Sequence, residues 1–333
     1  MRQLSCTIKL MLDLRGRVGL FFCYTLIMNI VLPDYIDIED SAKKKLKNLG
    51  ATIFNDVPDK AMLIERIKDS EIITANYIDI TEDIIDSAPK LRFIVVPAVG
   101  YEWVDYKYAQ TKGIKVLNCP THNTQAVAEH ALALIFAVQR RIVLAAQELK
   151  EGVWNPKGFK GVELAGAKLG LVGHGKIGRK VERLATAIGM DVSFVNSSSN
   201  ADEWDELFKT ADVICVVLPL TEATLKVVSQ TLIGRMKKTS ILINIGRGAT
   251  VDNEALSNAL KDKSIAGAGV DVYDNEPLSG IPQKQIIEMA KLENIVATPH
   301  IAYNTQQTAQ RLGQELVSCI ESCVAGSPIN TVN

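Results

Sequence analysis

The chain has 333 residues, of which 47% are hydrophobic and 23% are charged. This composition is typical of a globular protein with enough apolar residues for two cores, and it excludes disordered and fibrous classes. The 37 basic and 38 acidic residues give a net charge of −1. No basic face large enough to neutralise a run of phosphates is expected, so we expect a small-molecule ligand rather than nucleic acid.

The first 27 residues are the least typical part of the chain. A basic start, residues 1–17, leads into an apolar run, residues 18–32, that is too short to span a bilayer. No small-residue cleavage site follows this run, which merges with a β-branched stretch at 29–32 that predicts a first core strand. We interpret residues 1–27 as an N-terminal extension produced by a start assigned upstream of Met28. A targeting segment is the alternative.

From Met28 onward, short β-branched runs alternate with longer helical patterns, which is typical of parallel sheets covered on both faces. One sheet is predicted first, with strands at 29–32, 51–54, 72–75, 93–96 and 115–117. A long helix is predicted from Thr124 to Lys150, and its apolar stretch 131–138 predicts burial between layers. A loop is predicted at 152–166.

A second alternating series predicts six strands, at 169–172, 192–195, 213–218, 241–245, 268–272 and 295–298. Six such strands make a complete doubly wound dinucleotide-binding domain. The closing segment, 305–325, has a helical pattern with no strand after it, so we expect it to pack on the first domain.

The six cysteines show neither a dense disulfide framework nor paired metal-ligand spacing. Cys319 and Cys323 are four residues apart on the closing helix, but no His or second Cys pair lies nearby in the sequence. We therefore expect reduced thiols, a cytoplasmic location and no metal site.

A glycine pattern, Gly173-His174-Gly175-Lys176-Ile177-Gly178, comes directly after the predicted strand 169–172 and opens a helical stretch at 176–188. Such a pattern is weak evidence alone, but this context is the one that its mechanism requires. Gly173 permits a tight turn, Gly175 lets the backbone approach a pyrophosphate, and Gly178 lets the helix pack close to the strand. The alternative is a purely structural turn.

Asn196 ends the second strand of this series, where an acidic residue normally holds both hydroxyls of the adenosine ribose. An Asn is neutral and would not repel a 2′-phosphate, and the serines from Ser197 to Ser199 can hydrogen-bond one. No Arg or Lys stands in the loop to neutralise that phosphate. NAD or NADP is therefore expected as the cofactor, with a slight preference for NADP.

Hydride chemistry on a keto acid needs a proton donor, and histidine, with an ordinary pKa of about 6.5, is the natural candidate at neutral pH. His130 lies inside the predicted long helix and is expected to be a packed or surface residue. His174 occupies a variable position of the glycine pattern, and His122 is a loop residue that could line a cleft. His300 follows the last strand, at the sheet edge where ligands bind in open α/β folds.

The same edge receives Arg247 and Glu276, which follow two neighbouring predicted strands. An adjacent Glu favours the imidazolium form of His300 and fixes its ring, and an Arg offers a fork that matches a carboxylate. Each residue alone could be a surface Arg, a solvated Glu or a capping His. Together they predict a site for a 2-keto acid.

The ordered motifs resemble those of the D-isomer-specific 2-hydroxyacid dehydrogenases from about Met28 to the C-terminus. They are the glycine pattern, Leu218-Pro219-Leu220-Thr221, Asn244-Ile245-Gly246-Arg247-Gly248, Gly269-Val270-Asp271-Val272-Tyr273 with Glu276-Pro277, and Pro299-His300-Ile301-Ala302. The resemblance implies an α/β fold of two doubly wound parallel-sheet domains. A Rossmann cofactor domain, 124–304, would be inserted in a flavodoxin-like substrate domain, 28–123 plus 305–333.

The resemblance also implies the roles of individual residues. Arg247 would bind substrate, Glu276 would be the partner of His300, and His300 would be the acid/base. Backbone amides of Val99, Gly100 and Tyr101 would hold the substrate carboxylate alongside Arg247. Cofactor contacts are implied at Gly173, Gly175, Lys176, Ile177, Gly178, Asn196, Ser197, Leu218, Pro219, Thr224, Ile245, Gly246, Asp271 and Ala302.

The family resemblance implies a homodimer built through the cofactor domains, with no membrane partner. The expected reaction is hydride transfer between NAD(P)H and a small 2-keto or D-2-hydroxy acid of the glyoxylate, hydroxypyruvate, phosphoglycerate or lactate type. Two alternatives remain open: a formate- or phosphite-type dehydrogenase of the same fold, and a cofactor-sensing binding protein like the family's corepressors.

Overall fold

The computed structural model describes residues 4–12, 18–26, 28–277 and 280–333, the first two ranges as backbone. The chain divides into two compact units, which we call unit 1 (Met1–His122 with Gln306–Asn333) and unit 2 (Asn123–Thr305). Near the N-terminus, β1 (Leu4–Leu12) and β2 (Val18–Leu26) pair antiparallel and form a separate two-stranded sheet. The sequence pattern of the extension did not predict this pair.

Unit 1 contains a parallel sheet of five strands in the order β4-β3-β5-β6-β7. This is the flavodoxin-like order 2-1-3-4-5, so the strand order reverses between β3 and β5. The strands are β3 (Ile30–Leu32), β4 (Thr52–Ile53), β5 (Ile72–Thr74), β6 (Phe93–Val96) and β7 (Lys115–Asn118). All five correspond to predicted strands.

The four helices that follow the first strands of unit 1 are α1 (Asp40–Asn48), α2 (Lys60–Ile67), α3 (Glu82–Asp86) and α4 (Tyr106–Thr111). Two of the four, α2 and α4, begin at an aspartate cap. The side chain of Asp59 accepts from Met62 N at 2.8 Å, and that of Asp105 accepts from Tyr108 N at 2.8 Å. Each cap satisfies a backbone N–H that has no partner inside the helix.

Unit 2 contains a parallel sheet of six strands in the order β13-β12-β11-β10-β8-β9, whose order reverses between β8 and β10. The strands are β8 (Lys168–Val172), β9 (Asp191–Val195), β10 (Val213–Val216), β11 (Ile241–Asn244), β12 (Gly267–Val270) and β13 (Ile295–Ala297). All six were predicted, because strands buried on both faces are near-continuous apolar runs. The doubly wound fold class is thereby confirmed for both units.

The long helix predicted from Thr124 to Lys150 is two helices, α5 (Thr124–Gln139) and α6 (Ile142–Lys150). The break falls at Arg141, whose φ of +51° no helix can accommodate. Arg141 Nη1 donates to Gly158 O at 3.0 Å, and the guanidinium lies over the ring of Phe159. Burial was correctly predicted for much of α5, but α6 has no buried residue.

The remaining helices of unit 2 cover its sheet. They are α7 (Lys176–Ala187), α8 (Ala201–Thr210), α9 (Gln230–Ile233), α10 (Asn253–Lys261) and α11 (Lys284–Ala290), with short 3-10 turns at Pro156–Phe159 and Gly248–Thr250.

The last helix, α12 (Gln306–Val324), belongs to unit 1, as predicted. Leu316, Val317 and Ile320 pack in the core that surrounds β3 and β6. Of the helices in the described ranges, none is both long enough and apolar enough to cross a bilayer.

Candidate active site

The glycine pattern forms the turn between β8 and α7. Gly173 has a φ of +104°, and a Cβ there would lie 2.9 Å from Val217 O. A Cβ on Gly178 would lie 2.4 Å from Gly173 O. Both positions therefore require glycine for reasons internal to the fold, Gly173 for its backbone conformation and close approach and Gly178 for its close approach alone.

Gly175 differs from the other two glycines. Its φ of −76° suits any residue, and an added Cβ would meet no atom of the described chain within 4 Å. The space beside Gly175, at the N-terminus of α7, is thus not filled by the described chain. A pyrophosphate suits this place, because it would meet the unpaired N–H groups at the start of the helix.

The side chain of His174 lies between α7 and β9 and is 17% exposed. The ring stacks on that of Phe194, with centroids 3.8 Å apart and planes at 5°. Nε2 lies 2.7 Å from Glu182 Oε2, and Arg179 donates to His174 O at 3.2 Å. These contacts hold the turn from both sides.

Asn196 begins a tight turn after β9. Its side-chain Oδ1 accepts from Ser198 N at 2.8 Å and from Ser198 Oγ at 2.6 Å. Its backbone N–H donates to Ser199 Oγ at 3.3 Å. The side-chain oxygen is therefore occupied by the loop itself, while the side-chain amide makes no hydrogen bond within the described ranges. Ser197 is exposed in this turn.

The loop after β10 is fixed by its own threonines. Thr224 Oγ1 donates to Pro219 O at 2.7 Å and accepts from Thr221 N at 2.7 Å. This hydroxyl therefore shapes the loop that carries Leu218 and Pro219. Gly246, after β11, lies against it, since a Cβ there would be 2.6 Å from Leu218 O. Ile245 is buried in the core of unit 2.

The structure brings His300 and Glu276 together, with Nδ1 of His300 2.5 Å from Oε2 of Glu276. Oε1 of Glu276 accepts from Tyr273 N at 2.5 Å. Because a carboxylate can only accept, Nδ1 of His300 carries a proton in this contact and Nε2 is the atom left for a reactant. The His300 side chain is 42% exposed, and its Nε2 has no hydrogen-bond partner among the described residues.

Asp271 organises the loop that bears His300. Its carboxylate is fully buried and accepts from Thr298 Oγ1 at 2.5 Å and from the N–H groups of Ile301 and Ala302, both at 2.9 Å. Its carbonyl accepts from His300 N at 2.8 Å. These bonds hold His300 at a φ of +52°, a conformation that costs energy for a non-glycine residue.

His130, on α5, completes this arrangement. Its Nε2 lies 3.1 Å from Thr298 Oγ1 and 3.5 Å from Asp271 Oδ1. Burial alone would raise the pKa of Asp271, but hydrogen bonds from His130, Thr298 and two backbone N–H groups outweigh it and leave this pKa lowered. Asp271 is therefore ionised at neutral pH. Sequence reasoning did not link His130 to the site, because Thr298 is 168 residues away.

Arg247 follows β11, next to the loop that bears Glu276. Its Nη1 donates to Gly246 O at 3.0 Å, and its carbonyl accepts from Thr250 Oγ1 at 2.6 Å. A Cβ on Gly248 would lie 1.9 Å from Tyr273 C, so the two loops touch backbone to backbone. Arg247, Glu276 and His300 thus lie on loops at the same edge of the unit 2 sheet, after β11, β12 and β13.

The predicted substrate loop, Val99 to Tyr101, lies in unit 1 after β6. Asn118 Nδ2 donates to Val99 O at 2.7 Å, and Tyr101 O accepts from Val104 N at 3.0 Å. The Tyr101 ring meets the ring of Tyr106 edge to face, with centroids 5.5 Å apart. The loop is thus held by neighbouring strand ends.

Comparison with known proteins places these features in a family. Residues 132–302 match the family model described as D-isomer specific 2-hydroxyacid dehydrogenase, NAD binding domain. A glyoxylate reductase of Korarchaeum cryptofilum is 36% identical over 83% of this chain and 86% of its own length. A hydroxypyruvate reductase of Thermotoga maritima is 37% identical over 75% of this chain and 83% of its own length.

A solved structure shares the fold over most of the chain. An acyclic imino acid reductase in complex with NADPH and D-Arg superposes with a TM-score of 0.84 and 30% identity, over 92% of this chain and all of the other. The chain belongs to the D-isomer-specific 2-hydroxyacid dehydrogenase family and is an NAD(P)-dependent oxidoreductase that acts on the CH–OH group of 2-hydroxy acids.

Proposed function

We propose that the enzyme reduces glyoxylate, hydroxypyruvate or a keto acid of similar size, with His300 as the proton donor. The observation that carries this proposal is the contact between His300 Nδ1 and Glu276 Oε2, which leaves Nε2 open. Two relatives described as glyoxylate and hydroxypyruvate reductases support the substrate class. Keto acids of the phosphoglycerate and lactate types are the next candidates.

The roles of the three residues follow from their chemistry. The cofactor, when bound, supplies the hydride. His300 delivers a proton from Nε2 to the carbonyl oxygen as negative charge develops there. Glu276 holds the ring by Nδ1 and stabilises the protonated imidazole. The guanidinium of Arg247 binds the substrate carboxylate as a two-pronged donor. We also assign substrate binding to backbone amides of Val99, Gly100 and Tyr101 in unit 1.

We assign cofactor binding to unit 2 and substrate binding mainly to unit 1, with NADPH preferred over NADH. The open space at Gly175 supports a pyrophosphate there. Because Oδ1 of Asn196 is used by Ser198, this side chain presents only its N–H donors, which suit a phosphate better than they suit two ribose hydroxyls. The hydroxyls of Ser197 and its neighbours would add hydrogen bonds.

We further propose a cytoplasmic homodimer that buries α6. Ile142, Val143 and Leu149 are each more than half exposed, and Trp154, shortly after the helix, is 82% exposed. Exposed apolar side chains clustered in this way mark protein interaction sites. Sedimentation of the protein and of a Trp154→Ser, Leu149→Ser double variant tests this assignment. The dimer assignment fails if the unaltered protein is a monomer at micromolar concentration.

The cytoplasmic location is proposed from the cysteines. The free, buried thiols of Cys119, Cys215, Cys319 and Cys323 suit a reducing compartment.

The central experiment is a spectrophotometric screen of keto acids with NADH and NADPH in parallel. Turnover of glyoxylate or hydroxypyruvate, with a higher kcat/KM for NADPH, is the expected result. Addition of ammonia or an amine to the same keto acids covers imine substrates. Activity with formate or phosphite alone would contradict the substrate assignment, and tight cofactor binding without any turnover would favour a sensing protein.

The cofactor preference has its own variant. Asn196→Asp places a carboxylate where the 2′-phosphate would lie, so kcat/KM for NADPH should fall at least tenfold while that for NADH changes little or rises. Ser193→Asp, which adds the same charge on β9 before the turn, is the matched control. If the Asn196→Asp variant kept the parent's kcat/KM with both cofactors, this residue would not be the selector.

A further inference from the structure

A buried carboxylate sits at the point where the strand order of the unit 1 sheet reverses. Asp34 lies two residues after β3 and is 1% exposed. Its Oδ2 accepts from the backbone N–H of Asn76 at 3.0 Å and from that of Tyr77 at 2.6 Å, in the loop after β5. Asp34 therefore ties together the two loops that flank the reversal of strand order, where open α/β sheets bind their ligands.

The other oxygen of this carboxylate, Oδ1, is buried without a hydrogen-bond partner among the described residues. A buried and incompletely paired carboxylate is unfavourable, because its charge is removed from water without full compensation. Asp34 thus lowers stability and lies at the edge of the sheet where ligands bind. This combination indicates that the residue serves function rather than stability.

The loop that Asp34 holds also supports the predicted substrate loop. Trp103 Nε1 donates to Ala75 O at 3.1 Å, one residue before the N–H that Asp34 binds. Ile80 N donates to Trp103 O at 2.9 Å. The segment from Ala75 to Ile80 is thus fixed to Asp34 on one side and to the segment that continues from Tyr101 on the other.

A second bond makes the junction between the first two loops stiffer. Asn76 Nδ2 donates to Tyr35 O at 3.0 Å, next to Asp34 in the chain. Both Asn76 and Tyr77 therefore have backbone positions set by the segment 34–35. A shift of Asp34 would be passed through Ala75 to Trp103 and to the backbone amides assigned to the substrate carboxylate.

We propose that Asp34 is a positioning residue for substrate binding, which holds the Asn76–Tyr77 loop in place through its ionised carboxylate and thereby sets the loop Val99–Tyr101. The proposal rests on the assignment of that loop to the substrate. A charged acceptor makes hydrogen bonds about twice as strong as a neutral one. Protonation of Asp34, or its replacement by an amide, therefore weakens the hydrogen bonds from Asn76 and Tyr77 without abolishing them.

The surroundings of Asp34 set the pH range of this effect. Burial raises the pKa of Asp34 from 3.8 to about 6, against the lowering effects of the N–H groups of Tyr77 and Asn76 and of the charge of Arg66. Arg66, on α2, donates to Pro33 O and pairs with the exposed Asp56. Burial raises the pKa of the Tyr35 phenol, so this group stays neutral in this range. Asp34 thus changes charge between pH 5 and 7.

The test compares Asp34→Asn with the unaltered enzyme, using the keto acid that the screen identifies. At pH 7.5 the KM for the keto acid should rise roughly three- to tenfold, while kcat and the KM for the nicotinamide cofactor stay within about twofold. The matched control is Asp69→Asn, which removes an exposed carboxylate of unit 1 that pairs with Lys90. Its kcat and both KM values should equal those of the parent.

The pH profile gives a second readout, which begins with the unaltered enzyme. In the unaltered enzyme, the KM for the keto acid should rise as pH falls from 7.5 to 5.5, by more than the cofactor KM does. In Asp34→Asn this added rise should be absent. Identical profiles in the two proteins, or an equal loss in kcat and in cofactor binding, would overturn the proposal. If the parent itself reduces no keto acid, the substrate assignment fails instead.

Discussion

The two parallel sheets share their strand order at the point of reversal but differ in the first turn that follows the central strand. In unit 2 the turn between β8 and α7 consists of residues 173–175, and it leaves the N-terminus of the helix open beside Gly175. In unit 1 the turn between β3 and α1 spans residues 33–39 and contains Asp34, whose carboxylate accepts two backbone N–H groups.

The difference shows how one topology serves two purposes. Parallel strand ends present backbone N–H groups, and these attract negative charge. We assign the N–H groups of the unit 2 turn to an external anion, the cofactor's pyrophosphate, whereas in unit 1 an internal carboxylate accepts from the N–H groups of Asn76 and Tyr77. A few residues in one turn, and not the strand order, therefore decide what each edge binds.

The largest expected effect tests whether the chemistry resides in unit 2. His300→Ala removes the proton donor, and kcat should fall by roughly two to four powers of ten, as expected for loss of general acid catalysis. Thermal unfolding should change little, because the ring is partly exposed and contacts mainly Glu276. Parent-like turnover of keto acids by this variant would exclude His300 from catalysis.

The next effect concerns the internal anion of unit 1. The raised pKa of Asp34 means that the folded protein binds this proton more tightly than the unfolded chain, so the contribution of Asp34 to stability is greatest below about pH 4 and is lost as pH rises through about 6. Two pKa units correspond to about 3 kcal/mol. Asp34→Asn should therefore gain up to this amount over the parent between pH 4.5 and 7.5, measured by urea unfolding. A constant difference across this range would contradict a buried charge.

A smaller effect separates the glycines of the other edge. Gly175→Ala adds a methyl group to open space, so thermal stability should be unchanged while the KM for the cofactor rises about tenfold through lost approach to the pyrophosphate. Gly178→Ala, where the methyl group would meet Gly173 O, should lower the melting temperature as well. If Gly175→Ala bound the cofactor as the parent does, the open space would have another purpose.

The smallest effect is expected at His130. His130→Gln keeps a donor near Thr298 and leaves three other hydrogen bonds to Asp271, so kcat should fall only about two- to fivefold, the effect of one hydrogen bond. Steady-state kinetics at pH 7.5 measures this change, with Gln125→Ala on the same helix as a control. A loss as large as that of His300→Ala would make His130 part of the catalytic group.

The sequence predicted the strands of both sheets and the pairing of His300 with Glu276, because buried parallel strands are continuous apolar runs and motifs keep their order along the chain. It did not predict the break between α5 and α6. That break depends on contacts of Arg141 with Gly158 and Phe159, which hydrophobic periodicity does not register. Asp34 also gave no signal, since an Asp after Pro33 is typical of an exposed turn.

The contact between Gly248 and the backbone of Tyr273 has a consequence for redesign of the enzyme. The loops that carry Arg247 and Glu276 cannot shift past one another, because not even a methyl group fits between them. A graft that replaces one of these loops with a sequence from another dehydrogenase would displace the other. Changes of substrate range at this edge should therefore exchange residues 245–250 and 271–277 as a single cassette.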